Sequence, residues 1–168
     1  MEQRNNQTNR DREIVRIVET YSDMLMRIAL NRVNSIAEAE DVVQTTFERL
    51  MKRQPRFETR EHEKAWLIKT AIRICIDEAR RASRRTSVPL NEEIAAAYSE
   101  ESFELLETVR RLPEHDRDAV YLYYYEEYTI REIAKILGER EGTTRSRLSR
   151  ARKKLRAIME GEAYEQVL

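Results

Sequence analysis

Ile14, Ile17, Val18, Tyr21, Met24, Leu25 and Ile28 recur at three- and four-residue steps, which puts them on one stripe of a helix predicted from about Asp11 to Asn34. Ser35 stands three residues before Glu38, the spacing of a capping box. A second helix is predicted from there to about Lys52, with Ala39, Val42, Val43, Thr46, Phe47 and Leu50 inward and Pro55 closing the segment. A third is predicted from about Glu61 to Ser83, with Trp66, Leu67, Thr70, Ala71, Ile74 and Cys75 on its buried face. Three helices of this length can bury a modest common core.

The pattern breaks from Arg84 to Ser102, where Ser87, Pro89, Asn91 and a run of acids replace the apolar stripe. This stretch reads as a linker, with at most a helical turn around Ile94 to Tyr98. Phe103, Leu106, Val109 and Leu112 then predict a short helix stopped by Pro113. Another follows from Glu114 to Glu127 with Ala119, Val120, Leu122 and Tyr123 inside. Thr129 and Glu132 have capping-box spacing before Ile130, Ile133, Ala134 and Leu137, and Gly138 suits a left-handed C-cap. A final helix is predicted from Gly142 to about Glu160, with Leu148, Ala151, Leu155 and Ile158 inward. The fold class is therefore all-α. Two small helical domains, 11–84 and 103–160, are joined by a flexible linker, 85–102.

Composition agrees with this reading. In 168 residues there are three Gly and three Pro, which leaves long helices as the default. Cys75 is the lone cysteine, so one chain can form no disulfide and a reducing compartment fits. Met1 to Arg12 is polar with no apolar core for a signal peptide, and no apolar run approaches a membrane span. The expectation is a cytoplasmic protein without membrane insertion.

Charge changes the picture more. The formal net charge is zero, but the signs are segregated. Gly142 to Arg156 holds Arg145, Arg147, Arg150, Arg152, Lys153, Lys154 and Arg156 and no acid, while Asn91 to Glu107 holds only acids among its charges. A pure basic block on a helix is a candidate phosphate-binding surface. Here it follows a short helix and a Gly-containing turn, the parts of a helix-turn-helix. The second helix of that motif lies in the major groove. With Leu148, Ala151 and Leu155 inward, Arg145, Ser146, Ser149, Arg150 and Lys153 point outward. An arginine fork matches guanine O6 and N7, and serine can bond several bases. Thr143 and the backbone N–H groups beside it suit a phosphate.

At these residues the sequence resembles a known family. EIAKILG followed by GTTRSRLSRARKKL resembles the C-terminal domain of RNA polymerase sigma factors of the extracytoplasmic-function type, in the sigma-70 superfamily. Ala37 to Leu50, AEAEDVVQTTFERL, resembles the helix by which such factors grip the polymerase clamp. Ala65 to Arg81, AWLIKTAIRICIDEARR, resembles their −10 promoter segment. The chain departs from the family at Arg73, where Asn is frequent, at Glu139, where an apolar residue usually follows the glycine, and at Thr144, where Val is commoner.

The resemblance implies a sigma factor that binds core RNA polymerase and directs promoter recognition and transcription initiation, without being an enzyme. Glu40, Asp41, Gln44 and Glu48 would contact the β′ clamp helices, and the β flap is a further implied polymerase contact. Arg145, Ser146, Ser149 and Arg150 would read the −35 element, while Thr143, Arg147 and Arg152 would mainly hold backbone, with Lys153 beside them. Lys69, Arg73, Arg80, Arg81 and Arg84 would follow the −10 strand. The loop Gln54 to Glu63 would help capture an extruded base, with Phe57 as a wall. An anti-sigma factor is an implied partner. A linker of about 18 residues spans at most roughly 60 Å, or roughly 18 bp of duplex, so both domains could touch separated elements at once.

His62, His115 and Cys75 form no recognisable metal set, and no phosphate loop or nucleophile–base motif is visible, so no cofactor is expected. Tyr121, Tyr123, Tyr124, Tyr125 and Tyr128 read as core and helix-packing residues rather than a stacking platform. Two other classes remain open: a helix-turn-helix regulator whose N-terminal helices sense or dimerise, and an interaction protein that binds polymerase or an antagonist without reading DNA. The exposed Asp41, Gln44 and Glu48 face separates the first of these from a sigma factor, since an activator has no need of it.

Overall fold

The computed structural model describes residues 2–81 and 106–159. Every regular element among them is a helix. The chain divides into two compact units, one up to Thr86 and one from Ser87. The expected end of the third helix at Ser83, Arg84, the linker with its turn at Ile94 to Tyr98, Phe103 and Glu160 lie outside the described residues.

The first unit holds α1 (Glu2–Leu30), α2 (Ile36–Arg53) and α3 (Arg60–Arg81), each packed on the other two. α1 begins at Glu2 rather than near Asp11. Its first turns mix Glu, Gln and Arg with Asn5, Asn6, Thr8 and Asn9, and no apolar stripe marks them in the sequence. α2 starts as a partial capping box. The Ser35 hydroxyl accepts the Glu38 N–H at 3.2 Å, but the Glu38 carboxylate reaches one residue further back, to the Asn34 N–H at 3.0 Å. At the other end Gln54 is left-handed (φ 48°) and its N–H caps the Leu50 carbonyl, with Pro55 barring any further turn.

Leu25, Ala29 and Leu30 of α1, Ala39 and Val42 of α2, and Leu67, Ile68 and Ala71 of α3 are fully or almost fully buried. Each such leucine or isoleucine contributes about 1.5–3 kcal/mol by leaving water. The buried hydroxyls of Thr46 and Thr70 donate to the carbonyls four residues back, of Val42 and Trp66, at 2.8 Å. Trp66, expected in the core, is only half-buried, its ring edge-on to Phe57 at 5.9 Å.

One charge sits inside this unit. Glu63, in the first turn of α3, is 3% exposed. Arg16 of α1 reaches both its oxygens at 2.8 and 2.6 Å, and Arg60 stands 3.5 Å away. Glu13 completes the cluster with bonds from Arg16 at 2.8 Å and Arg60 at 2.9 Å. The Arg16 hydrogen bond holds the Glu13 carboxyl below the usual glutamate range.

In the second unit, helical residues 106–110 end before Pro113. Then come α4 (Glu114–Tyr124), α5 (Ile130–Leu137) and α6 (Glu141–Met159), mutually packed around Leu112, Ala119, Leu122, Ile133, Ala134, Leu148 and Ala151. Leu155 and Ile158, expected inward, are half-buried near the end of α6. α4 stops three residues earlier than the sequence suggests, because Glu127 turns left-handed (φ 56°) and sends the Tyr128 N–H back to the Leu122 carbonyl. That early stop corrects the tyrosine reading. Tyr121 and Tyr128 are core, Tyr123 is half-buried, but Tyr124 and Tyr125 are 51% and 48% exposed.

Arg16→Ala leaves the Glu63 carboxylate buried with the Tyr21 hydroxyl and the more distant Arg60, so it should cost about 3 kcal/mol in urea unfolding. Adding Glu63→Gln should recover most of that; a loss under about 1 kcal/mol would show that Glu63 is not held by this pair. The Glu13 carboxyl is lowered on folding, so its contribution is present above the ordinary glutamate range and is lost as pH falls through the lowered value. Acid unfolding of Glu13→Gln should therefore be less steep than that of the parent.

Candidate nucleic-acid interface

α5 is short and depends on its caps. The Thr129 hydroxyl accepts the Glu132 N–H at 3.3 Å, and the Glu132 carboxylate takes the Thr129 N–H at 2.9 Å and hydroxyl at 2.7 Å. These bonds to Thr129 hold the Glu132 carboxyl below its ordinary range. Gly138 closes the helix at φ 69°, a left-handed position that L side chains resist, with open space where a Cβ would stand. The chain then re-enters a helix at Glu141.

On α6, Thr144, Leu148 and Ala151 are buried against the unit's core, and Arg145, Ser146, Ser149, Arg150 and Lys153 are exposed along the opposite side. From Arg145 to Lys153 the row is about 12 Å long, comparable to the major-groove width of about 12 Å. Lys154 and Arg156 are exposed as well. Thr143 is exposed, but its N–H and that of Thr144 already donate to the Arg140 carbonyl at 2.9 and 3.2 Å. The N–H groups of Thr143 and Thr144 are thus taken up by a tight turn.

The arginines of α6 differ in their partners. Arg147 is 20% exposed, its Nε on the Glu139 carboxylate at 2.9 Å and Nη1 3.7 Å from Asp116. Arg150, 60% exposed, also comes within 3.7 Å of the same Asp116 oxygen. Glu139 in turn accepts the Thr144 hydroxyl at 2.7 Å. Arg152 donates to the Tyr124 hydroxyl at 2.6 Å and lies 5.4 Å from the Tyr123 ring centroid. The Tyr124 bond raises its pKa further. Asp116, Glu139 and Tyr124 were missed in the sequence. The one available signal was that Glu139 and Thr144 stand at positions where the family pattern is apolar.

In the first unit, Arg73, Arg80 and Arg81 are exposed on α3 and Lys69 is half-buried, while Arg81 pairs with Glu78 at 2.9 Å. Arg84 lies outside the described residues. Phe57, in the loop between α2 and α3, is half-buried between the edges of His62 at 5.6 Å and Trp66 at 5.9 Å. An open cavity of about 950 Å³ lies beside the same loop, with Ile14, Met51, Pro55, Phe57 and Arg60 in its walls. On α2, Glu40, Asp41 and Gln44 are exposed and Glu48 is half-buried, accepting a bond from the Gln44 amide at 3.1 Å. Among the described residues no cluster of His, Cys, Asp and Glu could hold a metal ion, and no helix is long and apolar enough to cross a membrane.

Residues 17–85 match the family Sigma-70 region 2, and residues 102–155 match Sigma-70, region 4. The chain belongs to the sigma-70 family. Among its relatives are sigma factors of the extracytoplasmic-function type. It is 28% identical over 160 residues to the ECF RNA polymerase sigma factor BldN of Streptomyces coelicolor, covering 88% of this chain and 61% of BldN. It is 27% identical over 161 residues to SigW of Bacillus subtilis, covering 83% of this chain and 85% of SigW. The fold is also that of RpoE from Bartonella quintana, solved in complex with the anti-sigma factor NepR, with a TM-score of 0.69, 21% identity, and coverage of 90% of this chain and 97% of that one. In this sigma-70 chain the region 2 match holds α2, α3 and their loop, and the region 4 match holds α4, α5 and most of α6.

Because Gly138 meets no neighbour, Gly138→Ala tests the backbone alone. It should lower the stability of the sigma-70 chain by about 1 kcal/mol, with Gly138→Asn costing less. Equal stability of Ala and Gly in urea would mean the turn does not hold its left-handed position.

Proposed function

We propose that this chain binds core RNA polymerase and directs it to promoters, with α6 of the second unit reading the −35 element and α3 with its preceding loop engaging the −10 element. The observation that carries this reading is the exposed row Arg145, Ser146, Ser149, Arg150 and Lys153, backed by a buried face at Leu148 and Ala151. Such a helix can enter a major groove without losing its own packing. Arg150 is the foremost candidate for a base contact because it is long, forked and largely exposed. Arg145, Ser146 and Ser149 share the reading, and Lys153 supplies phosphate attraction.

In the first unit, Glu40, Asp41, Gln44 and Glu48 form the surface for the β′ clamp helices, and Lys69, Arg73, Arg80 and Arg81 follow the −10 strand, with Phe57 beside an extruded base. Polymerase, promoter DNA and an anti-sigma factor are the partners, and the work is done in the cytoplasm, where the polymerase is. The chain supplies binding energy for recognition and strand separation and makes or breaks no covalent bond.

Purified chain added to sigma-free core polymerase should yield transcripts with defined start sites from a bacterial genomic library. Asp41→Lys should reduce holoenzyme assembly while leaving folding intact; a regulator would bind DNA without restoring transcription. Arg150→Ala should cost about 1–3 kcal/mol of promoter binding and relax preference at one −35 position. No start-site-specific transcript from any fragment would overturn the assignment.

A further inference from the structure

We infer that Asp116 and Glu139 position the recognition helix for DNA, clamping Arg147 between them and steering Arg150, so that Arg147 serves the interface from behind rather than by touching phosphate. This rests on the DNA reading of α6 proposed above. Asp116 lies in the first turn of α4 and its side chain is 5% exposed. A carboxylate so buried requires a cation, and both cations within reach come from α6. Glu139, in the turn before α6, is itself 15% exposed and holds two more points of that helix, the Thr144 hydroxyl and the Arg147 Nε. Helix α6 is thus fixed from two sides by charge, across contacts that a rotation or slide of one residue would break together.

The two arginines are left in different states. Arg147 has both acids and little exposure, so moving it to a phosphate would leave Asp116 with the single Arg150 contact and Glu139 with the Thr144 hydroxyl alone. Arg150 keeps 60% exposure and only the single longer contact to Asp116, which orients its guanidinium without consuming it. The residues joined by the 2.7 Å bond, Glu139 and Thr144, are the same two at which this turn departs from its family's apolar pattern. Glu139 thus joins Thr144 by a directional bond and passes that constraint to Arg147.

The test uses holoenzyme reconstituted from core polymerase and the full chain. The wild type first selects promoters from a duplex library randomised at the −35 element. Affinity is then measured over a salt series on the enriched promoter and on the same duplex with that element scrambled. Arg147→Gln should weaken the enriched promoter about 10-fold while leaving the scrambled duplex and the salt slope unchanged. Lys153→Gln, by contrast, should weaken both duplexes and reduce the slope by about 0.9. Asp116→Asn should broaden base preference, and adding Arg147→Gln to it should cause no further loss. Glu139→Gln should broaden preference in the same way, and it carries the test if Asp116→Asn does not fold. Equal loss on both duplexes with a slope reduced by about 0.9 in Arg147→Gln would make that arginine a phosphate contact and overturn the inference. So would unchanged preference in the folded Asp116 and Glu139 variants. If the wild type enriches no motif, the DNA reading fails and takes the inference with it; enrichment with unaffected variants removes the inference alone.

Discussion

A carboxylate taken out of water must find a cation, and both units of this protein are organised around that requirement. In the first, Glu63 at the start of α3 is met by Arg16 from α1. In the second, Asp116 at the start of α4 is met by Arg147 from α6. Apolar packing supplies most of the stability in each unit, but it tolerates small slides between helices because one leucine contact resembles the next. An ion pair joining two helices, at 2.6 Å between Arg16 and Glu63 and at 3.7 Å between Arg147 and Asp116, tolerates them less. The pair contributes little net free energy once desolvation is counted, and its value lies in fixing which turn of one helix faces which turn of the other.

That distinction explains what could be read from the chain beforehand. The apolar stripes at Leu25 and Ile28, Val42 and Phe47, Leu67 and Ala71, and Leu148 and Ala151 placed the helices and their buried faces correctly, because burial repeats with the helical period. The caps at Ser35, Thr129 and Gly138 were also legible, since each is a local event within a few residues. Boundaries were less so. The polar start of α1 has no apolar stripe, and the end of α4 near Tyr124 depends on a single left-handed residue, so neither leaves a periodic trace.

The candidate interface was legible as a set of residue types and not as a set of partners. All the cations of α6 look alike in the sequence, yet Arg147 answers to two acids, Arg152 to a tyrosine, and Arg145 and Lys153 to solvent. What separates them is a pair of residues 8 and 31 positions away for Arg147 and one residue 28 away for Arg152, none of them within a helical repeat of its arginine. Tyr124 and Tyr125 escaped for the same reason, because whether an aromatic ring is covered depends on what packs over it.

Trp66, half-buried against Phe57, has a practical meaning of its own. It is the chain's sole tryptophan, and it belongs to the first unit. Its emission therefore reads out the loop between α2 and α3 and is silent about the helix-turn-helix. Displacement of the Phe57 ring would change the exposure of the indole and shift its spectrum, so the molecule carries a built-in optical gauge at the loop between α2 and α3.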